Sequence, residues 1–179
     1  VDAYDGTVTL YAWDESDPML KAWRAAFPGT VRDRADIPES ILAHMRYPED
    51  LFKVQRFQLA SYHVTDAADF YEGNDQWDVP VDPDKTGTLQ PPFRLTVQTP
   101  SGGEVPTFSL TSVYVPTGRQ NLTAFLSVDG AADQEGYGTL RLLRVSSSQT
   151  TPGPSQVANK FRTDDKIQNE LLAFTRTNA

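Results

Sequence analysis

Residues 107–129 read "TFSLTSVYVPTGRQNLTAFLSVD", two alternating apolar–polar runs separated by a Pro/Gly turn. Side chains on one face of a strand recur every second residue, so both runs predict β-strands. The flanks repeat the pattern: "FRLTVQT" at 93–99 and "TLRLLRVS" at 139–146 add two more strands joined by Gly/Pro turns. Towards the N-terminus the apolar spacing becomes helical. Strands segregated from helices predict an α+β fold, an antiparallel sheet of about five to six strands with helices packed on one face.

The helical half begins at "SDPMLKAWRAAF", residues 16–27. Ser16 is the expected N-cap, Pro18 lies in the first turn, and Leu20, Trp23 and Phe27 make the apolar stripe. A second helix is expected after Asp36 or Ile37, ahead of Pro38. Pro48 interrupts it and opens a third, running to about His63. Thr65 or Asp66 should cap a short fourth helix, Ala67–Glu72, which Gly73-Asn74 stops. Residues 73–92 read as a polar, proline-rich loop and 147–154 as a Ser/Thr/Pro linker. Helices follow at about 155–162 and 165–176, with Ile167, Leu171 and Phe174 on one face of the latter. At the start, Asp5-Gly6 between alternating stretches predicts a type I′ hairpin whose first strand begins at residue 1 and whose second is Thr7–Trp13. The expectation is a single domain, 1–179, organised as hairpin plus helices (1–72), loop (73–92), strands (93–146), linker (147–154) and C-terminal helices (155–176). The abrupt ends suggest a fragment of a larger polypeptide.

Net charge is −8, against non-specific nucleic-acid binding, which needs a basic face, and against adhesion to anionic lipid. Cysteine is absent, so there is neither a disulfide framework nor a thiolate metal site. No run approaches the roughly 18 apolar residues of a membrane span.

Both histidines fall in 43–63, "AHMRYPEDLFKVQRFQLASYH". At 100° per residue Leu51, Phe52, Val54, Leu59 and Tyr62 share one side of the third helix, and Gln55 and Gln58 fall inside that arc. These amides are expected to face protein and bond loop backbone. His44 and His63, at the ends of the second and third helices, are expected to cap carbonyls. A zinc site would use His44 and His63, perhaps with Glu49 or Asp50, but the two imidazoles lack i, i+4 spacing and HExxH is absent. Acids recur at Asp66, Asp69, Glu72, Asp75 and Asp78, and Asp82 and Asp84 follow. Asp69, Glu72, Asp75 and Asp78 are the candidate calcium ligands, although "EGNDQWD" does not match an EF-hand loop. Capping and a solvated acidic face explain the same acids. GxSxG, Ser-x-x-Lys, a Walker loop and GxGxxG are all missing, so no catalytic or cofactor-binding residue is assigned and no cofactor is expected.

The string "HMRYPEDLFKVQ", followed by "YHVTD", "FY" and Trp77, resembles the signature region of uncharacterised protein family 0182. So do "VDAYDGTVTLY", the Asp-Pro at 17–18, "FPG" at 27–29, "VYVPTGRQNLTAFLSV", "YGTLRLL" and "GPSQV", in order along nearly the whole chain. The resemblance implies a large bacterial, notably actinobacterial, multi-pass membrane protein with N-terminal transmembrane helices and a long extracytoplasmic region. This chain would be the early part of that region, at the outer face of the cell membrane, anchored by helices that lie elsewhere. No activity and no site residues come with the family. The expected function is a non-catalytic scaffold or binding domain. Its partners would be other segments of the same full-length chain, an envelope molecule or another protein, and not nucleic acid. The alternatives are an envelope-directed hydrolase or transferase with a site around His44 and His63, and a calcium-binding module at 66–84.

Overall fold

Strand β5, Thr107–Pro116, is the axis of the main sheet in the computed structural model, which describes residues 1–85, 87–98, 106–146, 148 and 150–177. Along one edge β5 pairs antiparallel with β7, Ala124–Asp129, in a register running from Ser109↔Asp129 to Tyr114↔Ala124. On its other edge it takes β4, Phe93–Val97, and further along β3, Trp77–Asp78. Strand β8, Leu140–Arg144, continues the sheet beyond β7. The fold is therefore α+β with a five-stranded antiparallel sheet.

The described residues divide into two compact units, Val1–Met45 and Arg46–Ala179. In the larger unit, alternation along β5 and β7 sends Leu110, Tyr114, Ala124, Leu126 and Val128 to one face, where all are buried. Helix α3, Glu49–Tyr62, covers that face with Phe52 and Ala60, and Trp77 closes the cluster. Each large apolar side chain fully removed from water contributes about 1.5–3 kcal/mol, so these residues carry the unit.

The buried stripe of α3 is Phe52, Arg56 and Ala60, not the arc expected from the sequence. Leu51, Val54 and Tyr62 are exposed. An i, i+4, i+8 row faces the sheet, and an arginine can occupy its centre because its donors are used. Arg56 Nη1 donates to the carbonyl of Gln90 at 3.0 Å and to Ser112 Oγ at 3.3 Å. Gln55 accepts a bond from the Tyr47 phenol at 3.0 Å, and Gln58 is exposed. Neither amide ties down loop backbone as expected. Both line an open groove instead.

Helix α4, Ala67–Glu72, is capped by Asp66, which accepts from the amides of Ala68 and Asp69, and ends at Gly73 in the left-handed conformation, as its signals predict. The 73–92 loop is more ordered than its composition suggests, since it contains β3 and a Val81↔Leu89 bridge. The run read as one strand over 121–129 breaks at Thr123. Its first part, β6 (Asn121–Leu122), pairs with β9 (Thr151–Pro152), which lies in the stretch expected to be a linker. Helices α5, Pro154–Thr163, and α6, Asp165–Thr177, follow as expected. Arg162 of α5 reaches the carbonyl of Pro83 at 2.7 Å and the Asp84 carboxylate at 2.6 Å.

In the smaller unit the expected hairpin does not form. Asp2 and Asp5 spend their carboxylates on the amides of Tyr4 and Thr7, closing side-chain turns that replace a strand ladder. Only Gly6 has the positive φ that a type I′ turn requires at two central residues. The strand shrinks to β1, Leu10–Tyr11, which pairs parallel with β2, Val31–Arg32, across helix α1, Pro18–Ala26. Asp17, not Ser16, caps α1, accepting from the amides of Met19 and Leu20. Ser16 donates to Asp14 instead. A 3₁₀ turn, Arg34–Asp36, leads to the short α2, Glu39–Leu42, whose cap position is Pro38, two residues after Asp36 and one after Ile37.

Candidate functional site

The C-terminal end of α3 turns into α4 through Val64 and Thr65, and β3 returns alongside. Between these elements and the ends of β6 and β8 lies an open, polar cleft of about 430 Å³. His63, Asp66, Asp69, Asp75, Trp77 and Arg144 contribute its chemistry.

His63 is held on three sides. Its ring stacks on Trp77 with centroids 3.5 Å apart and planes 24° from parallel. Nδ1 faces the carbonyl of Leu59 at 2.9 Å and Nε2 the carbonyl of Asp75 at 3.0 Å. A carbonyl oxygen only accepts, so a nitrogen bonded to it carries the proton. The imidazolium can donate to both carbonyls, the neutral ring to one. In this geometry the ring joins the end of α3 to the turn before β3.

Trp77 is buried and leans on Tyr114, with ring centroids 5.4 Å apart. The Arg144 guanidinium sits 5.0 Å from the centre of the indole, a cation–π arrangement at the end of β8. Below, the Tyr114 hydroxyl donates to the carbonyl of Arg56 at 2.8 Å. Burial pushes the Tyr114 phenol well above the ordinary tyrosine range, and burial pulls the Arg56 guanidinium down. These two perturbed groups lie under the cleft, in the packing between α3 and β5.

The acids divide. Asp66 is committed to the α4 cap. Asp69 and Asp75 both line the cleft. Asp75 holds a positive φ of 56°, uncommon for a residue other than glycine. Asn74 Nδ2 donates to Asp69 at 3.3 Å and to Glu72 at 2.9 Å. Glu72 does not line the cleft, and Asp78 lines a different hollow beside Arg119 and Pro154. Of the four candidate calcium ligands the fold thus brings two to one cleft. Among the described residues no group of three or more His, Asp or Glu side chains is placed to hold a metal ion. The zinc candidates His44 and His63 belong to different compact units. His44 Nδ1 faces the carbonyl of Ser40 at 2.7 Å, so both histidines cap helix carbonyls as their positions predict.

Sequence reasoning assigned no site role to Arg144 or Thr123. Nothing local marks Arg144: it is one polar residue of an alternating strand, and only the register Ala124↔Arg144 carries it to the Trp77 side. Trp77 was named only within the family resemblance, with no site role.

Glu49, at the first turn of α3, accepts from Lys53, one turn along, and from Arg94 of β4. The Lys53 hydrogen bond, more than any other cause, holds the Glu49 carboxyl below the ordinary glutamate range. Among the described residues no helix is long and apolar enough to cross a membrane.

A family model described as "Uncharacterised protein family (UPF0182)" matches residues 1–174. A UPF0182 protein of Nocardioides is 55% identical over the whole chain, one of Thermobifida fusca 47% over the whole chain, and one of Streptomyces coelicolor 46% over 96% of it. The chain spans only about 18% of the length of these curated relatives. No solved structure matches it. On the match along nearly its full length, the chain belongs to the uncharacterised protein family UPF0182.

Proposed function

We propose that this chain is a non-catalytic binding or scaffold domain on the extracytoplasmic side of a bacterial multi-pass membrane protein. One observation carries the non-catalytic part. The side chains on which chemistry would depend are engaged in holding the fold. Both His63 nitrogens face backbone carbonyls and its ring stacks on Trp77, His44 Nδ1 faces the Ser40 carbonyl, and Asp66 caps the α4 amides. A ring nitrogen that donates to a carbonyl cannot itself act as base or metal ligand, and in His63 the second nitrogen also faces a backbone carbonyl. What the cleft offers a ligand is its mixed charge, with Arg144, Asp69 and Asp75 on its lining, which suits recognition of a polar group bearing both charges. The great length of the relatives and the family resemblance support a place within a larger membrane protein, joined to it through other segments of the same chain.

The test is labelling of the full-length protein in intact cells. A cysteine at the exposed position 71, Tyr71→Cys, should react with a membrane-impermeant maleimide. Protection until the cells are lysed would place the domain inside and overturn the localisation. For binding, the purified full-length protein is screened by thermal shift against charged envelope fragments. A hit that Arg144→Ala abolishes supports the cleft, and turnover of any fragment would overturn the non-catalytic reading.

A further inference from the structure

Strand β8 is the outer strand of the main sheet, and its ladder to β7 defines which way its backbone points. The amide of Asp129 donates to the carbonyl of Thr139 and the amide of Val145 to that of Thr123. In an antiparallel pair the hydrogen-bonded residues alternate, so Arg141 and Leu143 bond to β7, while the amides and carbonyls of Leu140, Leu142 and Arg144 point away from it. Among the described residues nothing pairs with that outer row.

Charge guards only part of this edge, at Arg141 and Arg144. Exposed edges are usually blunted by charge, proline or a bulge. Here Leu140 and Leu142 project on the α3 side and are 42% and 38% exposed. Beside them, between β8 and α3, runs an apolar groove of about 450 Å³. Leu59 and Tyr62 form its far wall, and the Gln55 and Gln58 amides supply its polar points. An unpaired backbone row next to a groove that accepts alternate apolar side chains is the geometry of β-strand addition.

We propose that the β8 edge is completed by an extended strand from the part of the full-length UPF0182 protein outside this chain, with alternate apolar side chains seated in the groove over Leu140 and Leu142. The inference rests on the scaffold reading above and names its surface. The length of the family protein argues for this occupant. The chain is about 18% of the relatives' length, so most of the polypeptide lies elsewhere. A tethered segment arrives at an effective concentration in the millimolar range for a short flexible tether. A second copy would bring together two segments of net charge −8, and like charge opposes that pairing.

The experiment uses the full-length protein in native membranes, with Leu142→p-benzoylphenylalanine as the photoreactive probe and Leu143→p-benzoylphenylalanine, on the opposite face of β8, as the control. Irradiation and peptide mass spectrometry should find the Leu142 probe joined to a segment of the same polypeptide outside residues 1–179, and the Leu143 probe should not give that adduct. In hydrogen exchange the amides of Leu140, Leu142 and Arg144 should exchange as slowly as those of Arg141 and Leu143. An adduct to a second copy, to another protein or to residues 1–179 overturns the proposal, as does the absence of an intramolecular adduct or rapid exchange of the three outward amides. If position 71 still labels from outside the cell while the adduct is missing, the edge assignment alone has failed. If position 71 is protected, the localisation has failed whatever the edge does.

Discussion

The hydroxyl of Tyr114 donates to the backbone carbonyl of Arg56 at 2.8 Å, and this bond pins the C-terminal part of β5 to the middle of α3. Both residues are buried, and Tyr114 is among the largest fully buried side chains of the protein. The Arg56 carbonyl also takes its ordinary helical amide, so removing the phenol leaves it partly satisfied. Tyr114→Phe should therefore destabilise the chain by about 1 kcal/mol in urea unfolding.

The same phenol sets an alkaline limit. Burial raises its folded value above the ordinary 10.0, so the unfolded chain ionises first. The stability it contributes is complete below pH 10 and declines as pH climbs above it. Denaturation midpoints measured from pH 8 upward should show a falling limb that Tyr114→Phe makes shallower. An unchanged limb would mean that the phenol is not shielded from water.

At the other end of the pH scale the group to watch is Glu49. Lys53 and Arg94 hold its folded value below the ordinary 4.5. Its contribution is present above pH 4.5 and is lost as pH falls through the depressed folded value. Glu49→Gln should lower stability at neutral pH and flatten the acid limb below 4.5. Equal slopes for the two proteins would count against the pair.

His63 should behave as a structural pin. His63→Ala removes the ring that faces two carbonyls and stacks on Trp77, and is expected to lower stability by about 1–3 kcal/mol. Zinc should leave the melting temperature of the parent chain unchanged. Stoichiometric uptake in calorimetry, abolished by His63→Ala, would contradict this account.

Gly153 precedes α5 at a point where the chain passes hard against its neighbour. A Cβ there would lie 2.0 Å from the carbonyl oxygen of Gln120, so an alanine can enter only if β6 and β9 separate. Gly153→Ala should destabilise by about 1–3 kcal/mol. Comparison of amide shifts should show the change concentrated at 120–122 and 150–153.

Most elements longer than about five residues were legible, because periodicity accumulates over several turns or pleats. The strands β5, β7 and β8 and the helices α3, α4, α5 and α6 fall within a few residues of expectation. The two-residue strands β3 and β9 were not, since each exists only through a partner distant in sequence, Trp77 with Pro116 and Thr151 with Leu122, and β6 was read only as the start of a longer strand. The face of α3 was misjudged for a different reason. Arg56 reads as a solvent residue until Gln90 and Ser112 are known to meet its guanidinium. The N-terminal hairpin failed because Asp2 and Asp5 compete with the ladder for the amides it would need. At the cleft, His63, Asp69 and Asp75 were singled out as residues, but their convergence with Trp77 and Arg144 depends on sheet register.

The pairing of β5 with segments on both sides of it also sets a schedule for a chain emerging from the ribosome. Helix α3 is complete once Tyr62 has been made, but Leu110, Tyr114 and Val128, which cover Phe52, come much later. Until then Phe52 lacks its neighbours from β5 and β7, and Arg56, even once Gln90 has been made, lacks Ser112. Contacts this far apart in sequence make folding slow relative to local helix formation. The nascent α3 is thus an amphipathic segment awaiting its sheet, and the interval before Val128 arrives is when a chaperone would have reason to hold it.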